Sequence, residues 1–356
     1  MNVLLLSRYD RLGASSRLRS LQFLPWLSAN GIHITVNAFL PDSYVRDLYE
    51  GHRNYRYALQ AYLSRFMALR NRHAFDVMWI EKELFPWLPF WLEDVFLNGP
   101  PAILDFDDAI FHNYDLNSSW VIRRVLGKKI DRLMARVHTV VVGNSYLASR
   151  ASEAGAKRIE YIPTVVDDEK YRARPRHNDS ACVIGWIGTP ITAAYLHELG
   201  DALTVLAKSE RVRFVLIGSG PISFVGIPTE IHSWFEETEQ EKITLFDVGV
   251  MPLIDAPWER GKCGYKLIQY MAAGIPVVAS PVGANIDIVD HGVNGYLARS
   301  KDEWLHFLRL LVRDPELRQS MGKAGRSKVE QRYSLKMAAP KLAQVMRTAA
   351  SMKTKG

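Results

Sequence analysis
The chain has 356 residues, more than one ordinary domain uses, and that length suggests two domains of about 150 residues each. Its 48% hydrophobic and 23% charged residues are an ordinary globular composition, which excludes disorder, collagen-like repeats and a disulfide scaffold. A net charge of +7 favours anionic partners, whether phosphorylated small molecules, anionic lipid or nucleic acid.

Met1 to Ser7 has no positive leader and too short an apolar run for a signal peptide, so it reads as a first buried strand. From there short apolar runs alternate with helical patterns, the way parallel sheets with both faces covered are written. Strands are predicted over 3–7, 33–39, 76–80, 102–105, 139–142 and 158–162. The first helix is predicted from Ser15 or Ser16, either of which can cap it, to Asn30-Gly31. Leu18, Leu21, Leu24 and Leu27 would face the sheet, and Pro25 would bend the helix. Tyr44 to His73 is locally basic through Arg46, Arg53, Arg56, Arg65, Arg70 and Arg72, with Tyr55, Leu59, Tyr62, Phe66 and Leu69 at helical spacing. Such a helix either packs its apolar stripe on a core or lies on anionic lipid. The run Phe85-Pro86-Trp87-Leu88-Pro89-Phe90-Trp91 favours a membrane interface. Pro86, Pro89, Glu93 and Asp94 nevertheless keep residues 84–97 from spanning a bilayer.

The polar stretch 165–180 reads as a linker. Beyond it strands are predicted over 181–187, 213–217, 247–253, 276–280 and 295–298, with helices over 193–208, 265–273, 301–312, 315–332 and 335–350. The organisation is an N-terminal Rossmann-like domain 1–164, a linker 165–180, a second Rossmann-like domain 181–334, and a C-terminal helix and tail 335–356 that can return to the first domain. The fold class is α/β, two doubly wound domains facing each other across a cleft, and ligands of such sheets bind at the strand C-termini. Cys182 and Cys263 read as buried, reduced thiols. The expected location is cytoplasmic, with a peripheral contact at the inner membrane face left open.

The most informative stretch is Asp247 to Ala298. A strand there leads into a loop with Asp255, Arg260 and Lys262, then a helix from Gly264 to Gly274. The helix start offers unpaired N–H groups and a partial positive charge, and Lys262 and Lys266 add full charges, which together make a diphosphate seat. Gln269 is placed to meet a sugar or ribose lying over the first turns. On the charges alone, a helix with solvated lysines remains the alternative.

Met271-Ala272-Ala273-Gly274-Ile275-Pro276-Val277-Val278 and His291-Gly292-Val293-Asn294-Gly295-Tyr296-Leu297 resemble the donor-binding region of the group-1 glycosyltransferases, a retaining family with the two-domain GT-B fold. The resemblance extends over the chain and implies transfer of a sugar from a nucleotide-sugar donor to a hydroxyl acceptor. The family's two glutamates fall at Gly261 and Gln269, and Gln269 loses the charge-assisted bond to ribose. Gly188-Thr189-Pro190-Ile191-Thr192 resembles a "G-S-P-T" form of the family, in which hydroxyls and N–H groups face the phosphates. Lys262 and Lys266 then supply the cationic clamp.

In the first domain, the loop with Gly13 lacks the Gly-x-Gly-x-x-Gly of a dehydrogenase, and the family places it near the donor phosphates and acceptor. Ser15, Arg17 and Arg19 would guide an anionic acceptor or form a solvated helix start. Asp105-Phe106-Asp107-Asp108 follows a strand at its cleft end. Its Asp-x-Asp is not taken as a metal site, because the architecture is that of two Rossmann-like halves. Asp107 would bind the transferred sugar or stabilise the anomeric carbon, with a helix cap as the rival role. Asp105 and Asp108 stand on the acceptor side, and His112 is a weaker candidate nearby. Gly218-Ser219-Gly220-Pro221 reads as a turn.

The catalytic candidates are therefore Asp107, Lys262 and Lys266, and the donor-binding candidates are Gly13, Gly188, Thr189, Gly264 and Gln269. The expected reaction, in surface polysaccharide or glycolipid synthesis, uses no cofactor and no metal. Its partners are a nucleotide sugar and a glycan or lipid-linked acceptor. Nucleic acid is not expected, since no recognition motif is present. A non-catalytic glycan-binding or assembly subunit and a sugar-nucleotide epimerase are the alternatives.

Overall fold
The computed structural model describes residues 1–49, 52, 55–171, 181–224 and 226–353, so Arg53 and positions 172–180 of the predicted linker lie outside the described residues. The chain forms two compact units. Unit 1 comprises Met1–Thr164, Gly261–Cys263 and Ala338–Gly356; unit 2 comprises Val165–Arg260 and Gly264–Met337.

Unit 1 is built on β1 (Asn2–Tyr9), β2 (His33–Leu40), β3 (Val77–Glu81), β4 (Ala102–Phe106), β5 (Thr139–Val142) and β6 (Ile159–Tyr161). They form a six-stranded sheet in the order β2-β1-β3-β4-β5-β6, and every pairing is parallel. The central strands are mostly apolar because helices cover both faces: Val3, Leu5, Val77, Ile80, Ile103 and Val140 are all buried, and the polar Ser7, Glu81 and Asp105 stand toward the strand ends. Burying each such side chain contributes about 1.5–3 kcal/mol.

Unit 2 repeats the plan with β7 (Cys182–Ile187), β8 (Val212–Ile217), β9 (Thr229–His232), β10 (Val248–Met251), β11 (Val277–Ala279) and β12 (Gly295–Leu297). Its six strands run in the order β12-β11-β10-β7-β8-β9. Side chains alternate between two cores, as a period of two requires. Val183, Ile187, Val215 and Ile217 enter one, and Ile184, Trp186, Phe214 and Leu216 the other.

Several expectations need correction. The first helix is broken, not bent: Ala14–Arg19 is followed by a 3-10 turn, Leu21–Phe23, and a second helix, Leu24–Ala29. Pro25 sits in the first turn of that second helix, where its missing N–H costs nothing, whereas a continuous helix would lose a bond there. Of the four leucines assigned to the sheet face, Leu27 is fully buried, together with Phe23. The stretch read as a linker begins inside unit 2, because Val165, Val166 and Tyr171 are buried and Val166 bridges Ser334. The helix predicted over 193–208 is divided into Pro190–Ala193, a 3-10 segment Ala194–Leu199, and Gly200–Ser209.

The predicted apolar stripe of the helix Tyr55–Arg70 is only partly turned inward: Leu69 is buried and Tyr62 half-buried. Its buried face carries Ala61, Arg65 and Leu69, while Leu59, Leu63, Phe66 and Met67 are exposed. Arg65 can be buried because it donates to Asn37 Oδ1 at 2.7 Å, Ser7 O at 2.6 Å and Leu84 O at 3.2 Å. Among the described residues, no helix is long and apolar enough to cross a membrane. Both cysteines are buried and unpaired to each other, Cys263 with its thiol pushed up to about 12 by burial.

Candidate functional site
In unit 1 the chain leaves β1 toward β2 on one side and returns to β3 on the other. The loops beyond β1 and β3 therefore diverge at a topological switch point, where open parallel sheets leave room for ligands. Charged side chains gather there. Ser15 Oγ lies 2.7 Å from Asp107 Oδ2 and 2.9 Å from Glu81 Oε1, and Ser16 Oγ donates to Glu81 Oε2 at 2.6 Å. The two serines thus serve carboxylates, and the helix Ala14–Arg19 starts behind Gly13 with no side-chain cap, contrary to expectation. Gly13 is required by packing: a Cβ there would stand 2.2 Å from Tyr9 Cβ.

Asp107 caps no helix, since the next one, His112–Asp115, starts behind Phe111. Its other oxygen is 3.0 Å from Lys82 Nζ, a distance for an ion pair that is out of line for a hydrogen bond. The same ammonium donates to Asp108 Oδ2 at 2.9 Å. Burial opposes ionisation of Asp107, but Lys82, the Ser15 bond and Arg19 outweigh it and hold the carboxyl below the usual range. Asp108 moves the other way, raised by burial and by the charge of Asp107 against the pull of Lys82 and Lys262.

The acceptor-side reading of Asp105 does not hold. It is buried in β4, accepts from Arg19 Nε at 2.9 Å and Nη2 at 2.7 Å, and receives Trp79 Nε1 at 3.3 Å. Burial works against the Arg19 charge, yet Asp105 outweighs it and keeps the guanidinium protonated. Arg17 and Arg19 are both buried, so neither the solvated helix start nor an acceptor guide describes Arg19; Arg17 donates to Arg11 O at 3.0 Å. His112 is held by Asp115 and Tyr146, each at 2.8 Å.

The segment Gly261–Cys263 completes unit 1. Gly261 stands where the group-1 resemblance places a glutamate, and a Cβ there would stand 2.4 Å from Ala109 Cβ and 2.6 Å from Ala109 N. No side chain fits, because the loop lies against the backbone just after Asp108. Asn144 holds it there, with Nδ2 donating to Gly261 O at 2.8 Å and Lys262 O at 3.1 Å while Oδ1 caps the helix Ser145–Glu153. Lys262 is half-buried and acts electrostatically on Asp108.

Unit 2 has its own switch point between β7 and β10. Gly188 and Thr189 follow β7, and Thr189 forms a capping box with Thr192. Lys266 Nζ reaches this turn, 3.4 Å from Thr192 Oγ1 and 4.1 Å from the Trp186 ring centroid. A Cβ at position 188 would meet that ammonium at 2.6 Å, so glycine is what admits the lysine. The helix Tyr265–Ala272 starts behind Gly264, which is left-handed at φ 64 and offers no side-chain cap, so its first N–H groups have no cap from that residue. Lys262 belongs to unit 1 and Lys266 to unit 2.

Gln269 is 2% exposed, and its amide nitrogen donates to Glu239 Oε1 at 2.7 Å and Tyr171 OH at 3.1 Å. Trp234 Nε1 donates to the other Glu239 oxygen at 2.6 Å. The amide expected at a ribose is thus already engaged by a carboxylate. Glu239, Lys82 and Asn144 went unnoticed in the sequence. A strand Val77–Glu81 running straight into Lys82-Glu83 is a signal that could have exposed Lys82; the polar run around Glu239 gives none. Among the described residues, no group of three or more His, Cys, Asp or Glu is placed to hold a metal ion.

Two parallel six-stranded sheets, each with its ligand-sized switch point, define a protein of the GT-B fold. Residues 181–314 match the family model of glycosyl transferases group 1. The chain is 27% identical over 243 residues to the sulfoquinovosyl transferase SQD2 of Arabidopsis thaliana, covering 63% of this chain and 46% of that protein. It is 24% identical over 177 residues to the capsular polysaccharide biosynthesis glycosyltransferase CapM of Staphylococcus aureus, covering 47% and 45%. The aligned stretches span just under half the length of these two relatives. Anabaena HepE, solved in complex with UDP-glucose, shares the fold at a TM-score of 0.71 and 17% identity over 98% of this chain and 100% of its own.

Proposed function
We propose that this protein is a glycosyltransferase that moves a sugar from a nucleotide-sugar donor to a hydroxyl acceptor, with retention, in the synthesis of a surface polysaccharide or glycolipid. The observation that carries this reading is the cationic turn of unit 2: Lys266 set against Gly188, Thr189 and Thr192, beside the helix start at Gly264. A diphosphate seated there meets one full charge, two hydroxyls and a helix N-terminus, and the same groups stabilise the charge that develops as the sugar leaves. The Asp107 carboxylate, held ionised in unit 1, suits sugar hydroxyls or positive charge at the anomeric carbon. The reading calls for no protein-bound cofactor or metal, so turnover should survive a chelator; complete loss restored by manganese would overturn it. The direct test is a thermal-shift screen against nucleotide sugars, because a donor that binds the native state must raise its stability. If no nucleotide or nucleotide sugar shifts the transition, the catalytic reading fails in favour of an assembly subunit.

Peripheral membrane contact is part of the proposal. The exposed apolar face of Tyr55–Arg70, with Leu59, Leu63, Phe66 and Met67, lies on the same unit as exposed Trp87 and Trp91. Arginines 56 and 70 flank that face, a combination suited to anionic lipid. Replacing the four exposed apolar residues by serine should abolish sedimentation with anionic vesicles; unchanged sedimentation would remove the membrane from the proposal.

A further inference from the structure
Lys82 is one of two described non-glycine residues with positive φ, at 67°, the other being Trp87. A left-handed lysine is strained and persists only where surroundings over-determine it, which is a feature of functional sites. Here the twist turns the side chain at the end of β3 back over the end of β4. The ammonium is buried and sits 3.0 Å from Asp107 Oδ1 and 2.9 Å from Asp108 Oδ2. One cation therefore serves two carboxylates at the switch point of unit 1. Asp108 Oδ1 is itself buried and has no hydrogen-bond partner among the described residues, while the rest of the side chain keeps some exposure.

We propose that Lys82 is a positioning residue for this pair: its single ammonium draws Asp107 and Asp108 together at the switch point and holds them there to meet a hydroxyl of the sugar or acceptor. The proposal rests on the glycosyltransferase reading for its ligand class and on the geometry of unit 1 for everything else. The charged and titratable groups facing the pair are Lys82 and Glu81 from β3, Arg19 from the first helix, Asp105 from β4, and Lys262 and Cys263 from the returning segment. Lys82 and Lys262 act directly on the pair as cations, and Arg19 is largely committed to Asp105. Removing Lys82 leaves two neighbouring half-buried carboxylates with less positive charge beside them, so the pair takes up its first proton at higher pH.

The test compares the full-length parent with Lys82→Met and Lys82→Arg. Carboxyl carbon chemical shifts of aspartate-labelled protein, followed against pH, need no substrate. Lys82→Met should raise the titration midpoint of the pair by about 1–3 pH units, and Lys82→Arg should leave it near the parent. The acid limb of kcat/KM for whichever nucleotide sugar the parent turns over should move by the same amount. A midpoint and acid limb unchanged in Lys82→Met would overturn the proposal. Should Lys82→Met fail to fold, Lys82→Met combined with Asp108→Asn removes the like-charge pair; a parent-like Asp107 midpoint there, with lowered turnover, supports the proposal, and parent-like turnover overturns it. A parent that turns over no nucleotide sugar sinks the glycosyltransferase reading alone, because the titration still decides the role of Lys82.

Discussion
Gly261 offers the sharpest test of why position 261 carries no side chain. An alanine there places its Cβ 2.4 Å from Ala109 Cβ, 2.6 Å from Ala109 N and 3.0 Å from Ala109 Cα. These are largely backbone atoms and cannot swing aside like the end of a long side chain, so the loop must lift. Overpacking of this kind costs about 1–3 kcal/mol. Lifting also stretches the two bonds from Asn144 to Gly261 O and Lys262 O, at 2.8 and 3.1 Å, each worth about 1 kcal/mol. The expected loss for Gly261→Ala is therefore about 2–4 kcal/mol, read as a fall in Tm of roughly 5–15 °C for a unit of this size. Gly261→Glu, which restores the family's residue, should be worse and should not raise activity.

Asparagine 144 separates the two contributions. Asn144→Asp keeps an acceptor for Leu147 N, now 2.9 Å from Oδ1, but turns a carboxylate toward two carbonyl oxygens. A double-mutant cycle with Gly261→Ala should show coupling of 0.5 kcal/mol or more, since both changes release the same loop. Calorimetry on the four proteins decides the matter. A Gly261→Ala protein within a degree of the parent would refute the account, because the loop would then have room that the contact to Ala109 denies it.

Lys266→Ala should lower turnover on the order of 10²-fold and weaken nucleoside diphosphate binding while sparing the nucleoside, which calorimetric titration of the two ligands will show. Asp107→Asn should reduce kcat far more than donor affinity; an unaltered kcat in a folded protein would leave Asp107 a structural residue. The Glu93 carboxyl, pushed up to about 7 by burial and by Glu83 against the pull of Lys129, binds its proton more tightly folded than unfolded. Stability should therefore fall as pH rises from about 4.5 to about 7, and Glu93→Gln should flatten that slope in urea titrations; a parent slope of the opposite sign would contradict it. Gln269→Glu should destabilise unit 2 at neutral pH, and adding Glu239→Gln should restore it, as melting curves of the single and double variants will report.

Much of the fold was legible because fully buried parallel strands are written as short apolar runs. β5 falls at the predicted residues, and most other strands differ at their ends by a residue or two. β9, Thr229–His232, escaped because an edge strand reading Thr-Glu-Ile-His carries no apolar run to find. The Tyr55–Arg70 helix misled for a different reason: helical spacing identifies a stripe but not which side of it meets the core, and four hydrogen bonds let Arg65 take the inner side. In the site, Asp107 and Lys266 stood out by type and position. Ser15 and Ser16 looked like caps because a serine before a helix usually is one, and only the approach of Glu81 and Asp107 shows otherwise.

Positions 261 and 269, where the group-1 resemblance places glutamates, hold Gly and Gln for different physical reasons, and neither reason is local in sequence. At 261 the constraint is steric, since Ala109 occupies the space a side chain would need. At 269 it is electrostatic. Glu239 is buried, and its Oε1 lies 2.7 Å from the amide nitrogen of Gln269. A second carboxylate at that distance could not ionise alongside the first, so one of the two would hold a proton or the pair would separate. An amide resolves this, because it donates to the carboxylate without bringing charge and still keeps an oxygen of its own. Gln269 and Glu239 are therefore one arrangement, in which the buried Glu239 carboxylate is held by the Gln269 amide, Trp234 and Tyr171.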